Sequence, residues 1–280
     1  MLVQDRQLQV SPDRTIAYQV FPAASDRHHI TLVLVHGLGS SCAAWWKTLA
    51  VLSDQVELPT IIVIDCLGHG LSSRPKGVRQ YDFDRLADDV MAVMDHEKAD
   101  RVLLVGHCLG SLLSQLIMVQ IPEKINQAIL LNTTSQGTVG IFNLLWLVYP
   151  LLRLLSHLLP TWHLTGRYDY HHFTSTPDIS IKRLLYDVAY TSFRSNLICG
   201  LNAMRFHTPL ALYRSQIPTL VVAGGQDSIY PSRMGKKLAD QLPRGQYLCL
   251  PDANHITPVN AYQQLSQILT DTIQATIRVQ

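Results

Sequence analysis

Apolar and polar positions along this chain follow two periods. Short aliphatic and β-branched runs recur at residues 15–21, 30–36, 60–66, 101–106, 127–133, 218–225 and 246–250, and predict strands. The run at 60–66 is dense enough for a strand buried on both faces. Between these runs, apolar residues return every three or four positions over 41–53, 82–98, 108–121, 231–242 and 258–278, which predicts helices. Leu86, Val90, Val93 and Met94 mark one such stripe. Strand–helix alternation of this kind predicts an α/β fold, a mostly parallel sheet with helices on both faces.

The rhythm stops between residues 135 and 216. That stretch has no strong strand, many aromatics and several helical patterns, and predicts a helical insertion after a sheet strand. Within it, residues 140–160 approach the length of a membrane span. Pro150 falls in the middle, and Arg153 and His157 lie on one side at helical spacing, so two short amphipathic helices are expected rather than one spanning helix. The insertion carries seven Lys or Arg against three Asp and no Glu, which leaves the remainder of the chain slightly acidic. The plain reading is a solvated basic surface; the sharper one is attraction for an anionic substrate or an acidic surface.

Composition narrows the class. A chain of 280 residues, 47% hydrophobic, can bury a sizeable core. A net charge of +2, with no basic run interleaved with aromatics, gives no reason to expect a nucleic-acid partner. The five cysteines (42, 66, 108, 199 and 249) are odd in number, widely spaced and free of any CxxC pair. Neither a disulfide framework nor a zinc site is expected, and a reduced, cytoplasmic setting fits best. The first residues hold no basic segment followed by an apolar one, so a cleaved signal peptide is not expected. No glycine-rich dinucleotide or phosphate loop and no metal-ligand spacing occurs, so no cofactor and no metal are expected. His171 and His172 are adjacent and would point apart.

The chemistry gathers at three places. Gly106-His107-Cys108-Leu109-Gly110 joins an apolar strand to a helix with a glycine two residues either side of a nucleophile. Asp227 follows the strand at 218–225, and His255 follows the strand at 246–250. Nucleophile, acid, histidine is the chain order expected for a nucleophile elbow, and all three would sit beyond the carboxyl ends of parallel strands. Cys108 would attack a carbonyl carbon, His255 would move the proton, and Asp227 would orient the imidazole and stabilise its cation. Asp252, so close to His255 in sequence, is a rival acid that would not reach the ring easily. The loop after the strand at 30–36 begins His36-Gly37-Leu38-Gly39, and the N–H groups of Leu38 and Leu109 are expected to hold an oxyanion.

Together, His36-Gly37, the run Asp65-Cys66-Leu67-Gly68-His69-Gly70-Leu71-Ser72, the elbow, Asp227 and His255 resemble the α/β-hydrolase superfamily over nearly the whole chain. The resemblance is closest to its capped members. It implies a doubly wound eight-stranded sheet formed by residues 1–134 and 217–280, with 135–216 as an inserted helical cap. Most members have serine at the elbow. Cysteine there is similar to dienelactone hydrolases, which lack so large a lid, and to polyhydroxyalkanoate synthases, which are longer; the resemblance therefore carries the triad and not the substrate. The expected function is hydrolysis of an ester, thioester or lactone with a substantial apolar acyl part, through an acyl-thioester on Cys108. Acyl transfer from the same intermediate is one alternative, and a non-catalytic ligand-binding protein is another. His36, Gly37, Trp45, His107, Ile229 and the lid residues Leu144 and Leu147 are expected at the substrate pocket, with His36 also read as orienting its own loop. Peripheral membrane contact through 140–160 is a further reading.

Overall fold

A single eight-stranded sheet organises the molecule. The structure, a computed structural model, describes residues 2–23, 30–137, 145–173 and 175–278. The strands are β1 (Gln4–Ser11), β2 (Arg14–Phe21), β3 (Thr31–Val35), β4 (Thr60–Ile64), β5 (Val102–His107), β6 (Ile125–Leu131), β7 (Thr219–Gly224) and β8 (Gly245–Leu250). Their spatial order is β1-β2-β4-β3-β5-β6-β7-β8. β2 pairs antiparallel with both β1 and β4, and every other pair is parallel. Helices α1 (Trp46–Leu52), α2 (Phe83–His96) and α3 (Leu109–Gln120) connect the first strands. Helices α4 (Leu145–Leu155), α5 (Ile181–Thr191) and α6 (Phe193–Met204) fall between β6 and β7, and α7 (Ser232–Gln241) between β7 and β8. Helices α8 (Thr257–Asn260) and α9 (Tyr262–Arg278) follow β8.

The two faces of the sheet follow from strand alternation. Val33, Val35, Ile62, Ile64 and Leu104 share a core with Leu86 and Val90 of α2, Leu112 of α3 and Leu238 of α7. Leu32, Leu34, Ile61, Val63 and Leu103, one residue out of phase, share the other with Leu49 of α1 and Leu265 and Leu269 of α9. This double coverage is why β3, β4 and β5 read as unbroken apolar runs.

Three elements differ from their sequence expectation. β1 was not anticipated: Gln4-Asp5-Arg6-Gln7 is polar, and only Leu8 and Val10 pack on the core. As an edge strand with one solvated face it needs no apolar run, and its charges guard the edge. Pro150 does not divide the stretch it sits in. It lies inside α4, where it forfeits the bond to the carbonyl of Trp146, and the helix continues on both sides of it. The expected helix at 258–278 is interrupted at Ala261 into α8 and α9. Among the described residues, no helix is long and apolar enough to cross a membrane.

Two arginines of the 135–216 stretch bind it to the sheet. Arg167 donates to the fully buried carboxylate of Asp65, Nε to Oδ2 at 2.7 Å. That carboxylate also accepts the N–H groups of Cys42 and Leu71, at 2.7 and 3.0 Å. Arg194 donates to the carbonyls of Pro75, Lys76 and Ser156.

Candidate active site

The turn from β5 into α3 carries Cys108 at φ +49°, ψ −112°. Such a backbone is strained for a residue with a Cβ, by about 1–3 kcal/mol, and must be held from outside. Its N–H donates to the carbonyl of Leu131 at 3.0 Å, and its carbonyl accepts the N–H and hydroxyl of Ser111. The flanking glycines let the chain pass. A Cβ on Gly106 would stand 2.3 Å from the carbonyl oxygen of Gly110, and one on Gly110 would stand 2.2 Å from that of Val35. The Gly-x-Cys-x-Gly spacing is thus a packing requirement of this bend.

Two later loops converge on the same point. The Nδ1–H of the buried His255 donates to Oδ2 of Asp227 at 2.8 Å. Oδ2 also accepts from the Asn132 amide at 2.9 Å, and Oδ1 accepts the N–H groups of Ile229 and Tyr230 at 2.8 and 2.7 Å. Burial works against the Asp227 charge, but these donors, His255 foremost, hold its pKa below the ordinary carboxylate value. Burial likewise disfavours the His255 imidazolium. The charge of Cys108 and the Asp227 bond outweigh it, and the ring is pushed up to about 10. Nε2 of His255 is buried and forms no well-aligned hydrogen bond among the described residues. The His255 ring and Cys108 border the same cavity.

Cys108, His255, Gly37, Leu38, His107, Leu109 and Ile229 all border one cavity of about 520 Å³. The N–H groups of Leu38 and Leu109 donate to no other group among the described residues, whereas the next one along, Gly110 N–H, is taken by the carbonyl of His36. His107 is held neutral, burial lowering its pKa to about 3, and its Nε2–H donates to the carbonyl of His255 at 2.7 Å. The far wall comes from 135–216: Leu152, Ile179, Leu184 and Met204 contribute apolar surface. Asp178, Arg183 and Asp187 also border the cavity; Asp187 accepts the Tyr170 hydroxyl at 2.9 Å and is pushed up to about 7 by burial.

Two expected pocket residues lie elsewhere. His36 is fully buried and does not border the cavity; its Nδ1 meets the carbonyl of Gly37 at 2.7 Å and its Nε2 accepts the N–H of Cys66 at 3.0 Å. It braces the loop from behind, because the strand carries its side chain into the core while Gly37 faces the cavity. Trp45 is also fully buried, among the residues on the α1–α9 side of the sheet. The tight turn Cys42–Trp45 sends Trp45 inward and leaves Ala44 on the cavity wall. Leu144 lies outside the described residues, as does the side chain of Leu147. Asp252 is exposed and takes no part.

Sequence reasoning missed Asn132 and Asp178. Asn132, at φ +47°, ties Asp227 to Thr257, whose hydroxyl donates to its Oδ1 at 2.5 Å. Its place just past the end of β6 was an available signal. Asp178 accepts the backbone N–H of His255 at 2.7 Å through one oxygen, and the N–H and hydroxyl of Ser228 at 2.8 Å through the other. Nothing local in Thr176-Pro177-Asp178 announces that contact.

The sheet order, the bend at Cys108 and the two converging loops define a class that comparison with known proteins makes explicit. Residues 30–261 match the family described as alpha/beta hydrolase fold, and the chain belongs to it. The chain is 28% identical over 239 residues to 3-oxoadipate enol-lactonase 2 of Acinetobacter baylyi, covering 83% of this chain and 84% of that protein. It is 25% identical over 248 residues to a putative carbamate hydrolase of Stutzerimonas stutzeri, covering 86% and 90%. Among solved structures, a thermophilic esterase from Thermogutta terrifontis superposes with a TM-score of 0.73 at 17% identity, covering 98% and 99% of the two chains. The relatives are hydrolases, which supports a general hydrolase role for this chain.

Proposed function

We propose that this chain hydrolyses an ester, thioester or lactone with a substantial apolar acyl part, using Cys108 as nucleophile. The observation that carries the reading is His255, bonded to Asp227 through Nδ1 and raised toward its cation by Cys108, beside two undonated N–H groups in one cavity. The Cys108 sulfur adds to the substrate carbonyl, and the N–H groups of Leu38 and Leu109 receive the oxyanion. As the tetrahedral species collapses, the bond to the leaving group breaks and His255 supplies that group's proton. An acyl-thioester remains on Cys108. A water then loses a proton to His255 and adds to the thioester, and the acid leaves as the thiol is restored. Residues 135–216 act as a cap that encloses the acyl part. The apolar wall of Leu152, Ile179, Leu184 and Met204 supports the apolar acyl class, and the lactonase relative supports lactones within it.

Turnover of a panel of p-nitrophenyl esters, with intact-protein mass spectrometry, tests this. Cys108→Ala is expected to lower kcat/KM by about 10³-fold or more, and a brief reaction of the native chain should leave an acyl mass on Cys108. Undiminished turnover after stoichiometric alkylation of Cys108 would sink the nucleophile assignment.

A further inference from the structure

Solvent-facing apolar side chains are not spread over this molecule. Among the described residues, all the large ones except Leu2, Val3 and Leu248 lie between residues 151 and 210. Two of them line the cavity. Ile179 and Leu184 border it and are still 76% and 56% exposed, so the cavity opens where they stand. Leu152 of α4 borders the same opening. Around these, Ile181 and Leu185 of α5 are 77% and 67% exposed, and Leu151 and Leu155 of α4 are exposed as well. Ile181, Leu184 and Leu185 fall at i, i+3 and i+4, one face of one helix, and Leu151 and Leu155 repeat the spacing on α4. Soluble monomers rarely leave a contiguous apolar surface of this kind uncovered.

The charge of the same stretch selects the occupant. Lys182, within the α5 stripe, and Arg205, just past α6, are exposed, and so are His157, His171, His172 and His207. Of the three acids, Asp178 and Asp187 face inward onto His255, Ser228, Tyr170 and Arg183, and Asp169 is tied to His171. Among the described residues, the exposed stripe of α5 therefore carries a cation, Lys182, and the most exposed acid of the stretch, Asp169, is engaged by His171. A second copy of the chain would bring the same sign of charge to meet it; an anionic lipid surface brings the opposite one.

We propose that this face docks peripherally on an anionic phospholipid bilayer, with the apolar side chains of α4 and α5 at the headgroup–acyl boundary and the cavity mouth turned toward the lipid. Helices with an apolar face and basic flanks bind membranes in this way without crossing them. Docking does not depend on Cys108. The passage of an apolar substrate from bilayer to cavity rests on the function proposed above.

Co-sedimentation of the full chain with phosphatidylcholine vesicles, with and without phosphatidylglycerol, tests the docking. The native chain should partition at least about tenfold more strongly onto the anionic vesicles, and Ile181→Glu/Leu185→Glu or Leu151→Glu/Leu155→Glu should each remove about tenfold of that. None of these four side chains borders the cavity, so both double variants should turn over a short soluble ester within about twofold of the native rate. Cys108→Ala should bind vesicles like the native chain. Failure of the native chain to sediment with either vesicle, equal sedimentation with both, or native-like binding by both double variants would overturn the proposal. So would a dimer in sedimentation velocity that the Ile181→Glu/Leu185→Glu variant dissolves, with no vesicle binding. Vesicle binding that persists while Cys108→Ala keeps full turnover would overturn the nucleophile assignment and leave the docking intact.

Discussion

At the scale of single residues, the site turns on one imidazole with only one of its two nitrogens bonded. Asp227 fixes the proton on Nδ1, and Nε2 stays unbonded among the described residues. Because the His255 pKa is raised, the favoured folded form is the cation. Its contribution to stability is complete below the unfolded value of about 6.5 and is lost as pH rises through about 10. Asp227 has the opposite sign: its contribution is present above the ordinary carboxylate range and is lost as pH falls through its depressed value. Thermal melts of the native chain and His255→Asn, which keeps an amide donor for Asp227, should therefore converge between pH 7 and about 10.5. A gap between the two melting temperatures that stays constant over that window would contradict the pairing. The three site residues were legible in sequence because a backbone bend demands glycines at fixed offsets and because loops after parallel strands are where such groups gather. His36 was expected at the pocket because adjacent side chains at a strand end point to opposite sides, and Trp45 because a tight turn can send a ring either way; sequence alone does not say which side is the cavity.

At the scale of elements, α3 and the loops after β7 and β8 each bring one group, and the segment before α5 holds two of those loops together. Asp178 does this with one carboxylate, taking the N–H of His255 on one oxygen and Ser228 on the other. Asp178→Asn would turn one acceptor into a donor facing an N–H, leaving a buried pair unmade at a cost of about 1–3 kcal/mol. We expect kcat to fall about tenfold with KM changed less, since the His255 loop shifts while the apolar wall stays. Unaltered kcat beside a lowered melting temperature would make Asp178 a purely structural tie. The strands β2 to β8 were readable because burial on both faces leaves continuous apolar runs. β1 was not, because an edge strand needs only alternate apolar residues. Pro150 misled because proline costs one backbone bond in a helix interior without having to end the helix, and α4 continues through it.

At the scale of the whole molecule, the stretch 135–216 is held to the sheet by polar bonds in a buried setting as well as by apolar contact. Arg167 and Asp65 are 6% and 0% exposed at their side chains, so removing one partner leaves the other charged and dry. Arg167→Met is expected to destabilise the chain by about 3–5 kcal/mol, read as a lower urea midpoint with an unchanged slope. A change under about 1 kcal/mol would place that pair among solvent-screened surface contacts. The same stretch carries the molecule's exposed apolar face and most of the cavity's far wall. Under the function proposed above, its stability and the enclosure of substrate would be linked through the same helices.

By itself the sequence determined the layered α/β architecture, the chain order of strands β2 to β8 with their helices, the glycine-flanked bend at Cys108, and the placing of Asp227 and His255 on loops after later strands. Each of these is written in local spacing, which backbone geometry reads directly. Only the tertiary structure decided which side chains border the cavity, that Asp178 and Asn132 brace the loops of His255 and Asp227, and that the apolar residues of α4 and α5 face outward around the opening. Those are contacts between positions distant in the chain, settled by how helices seat on the sheet, and no local period encodes them.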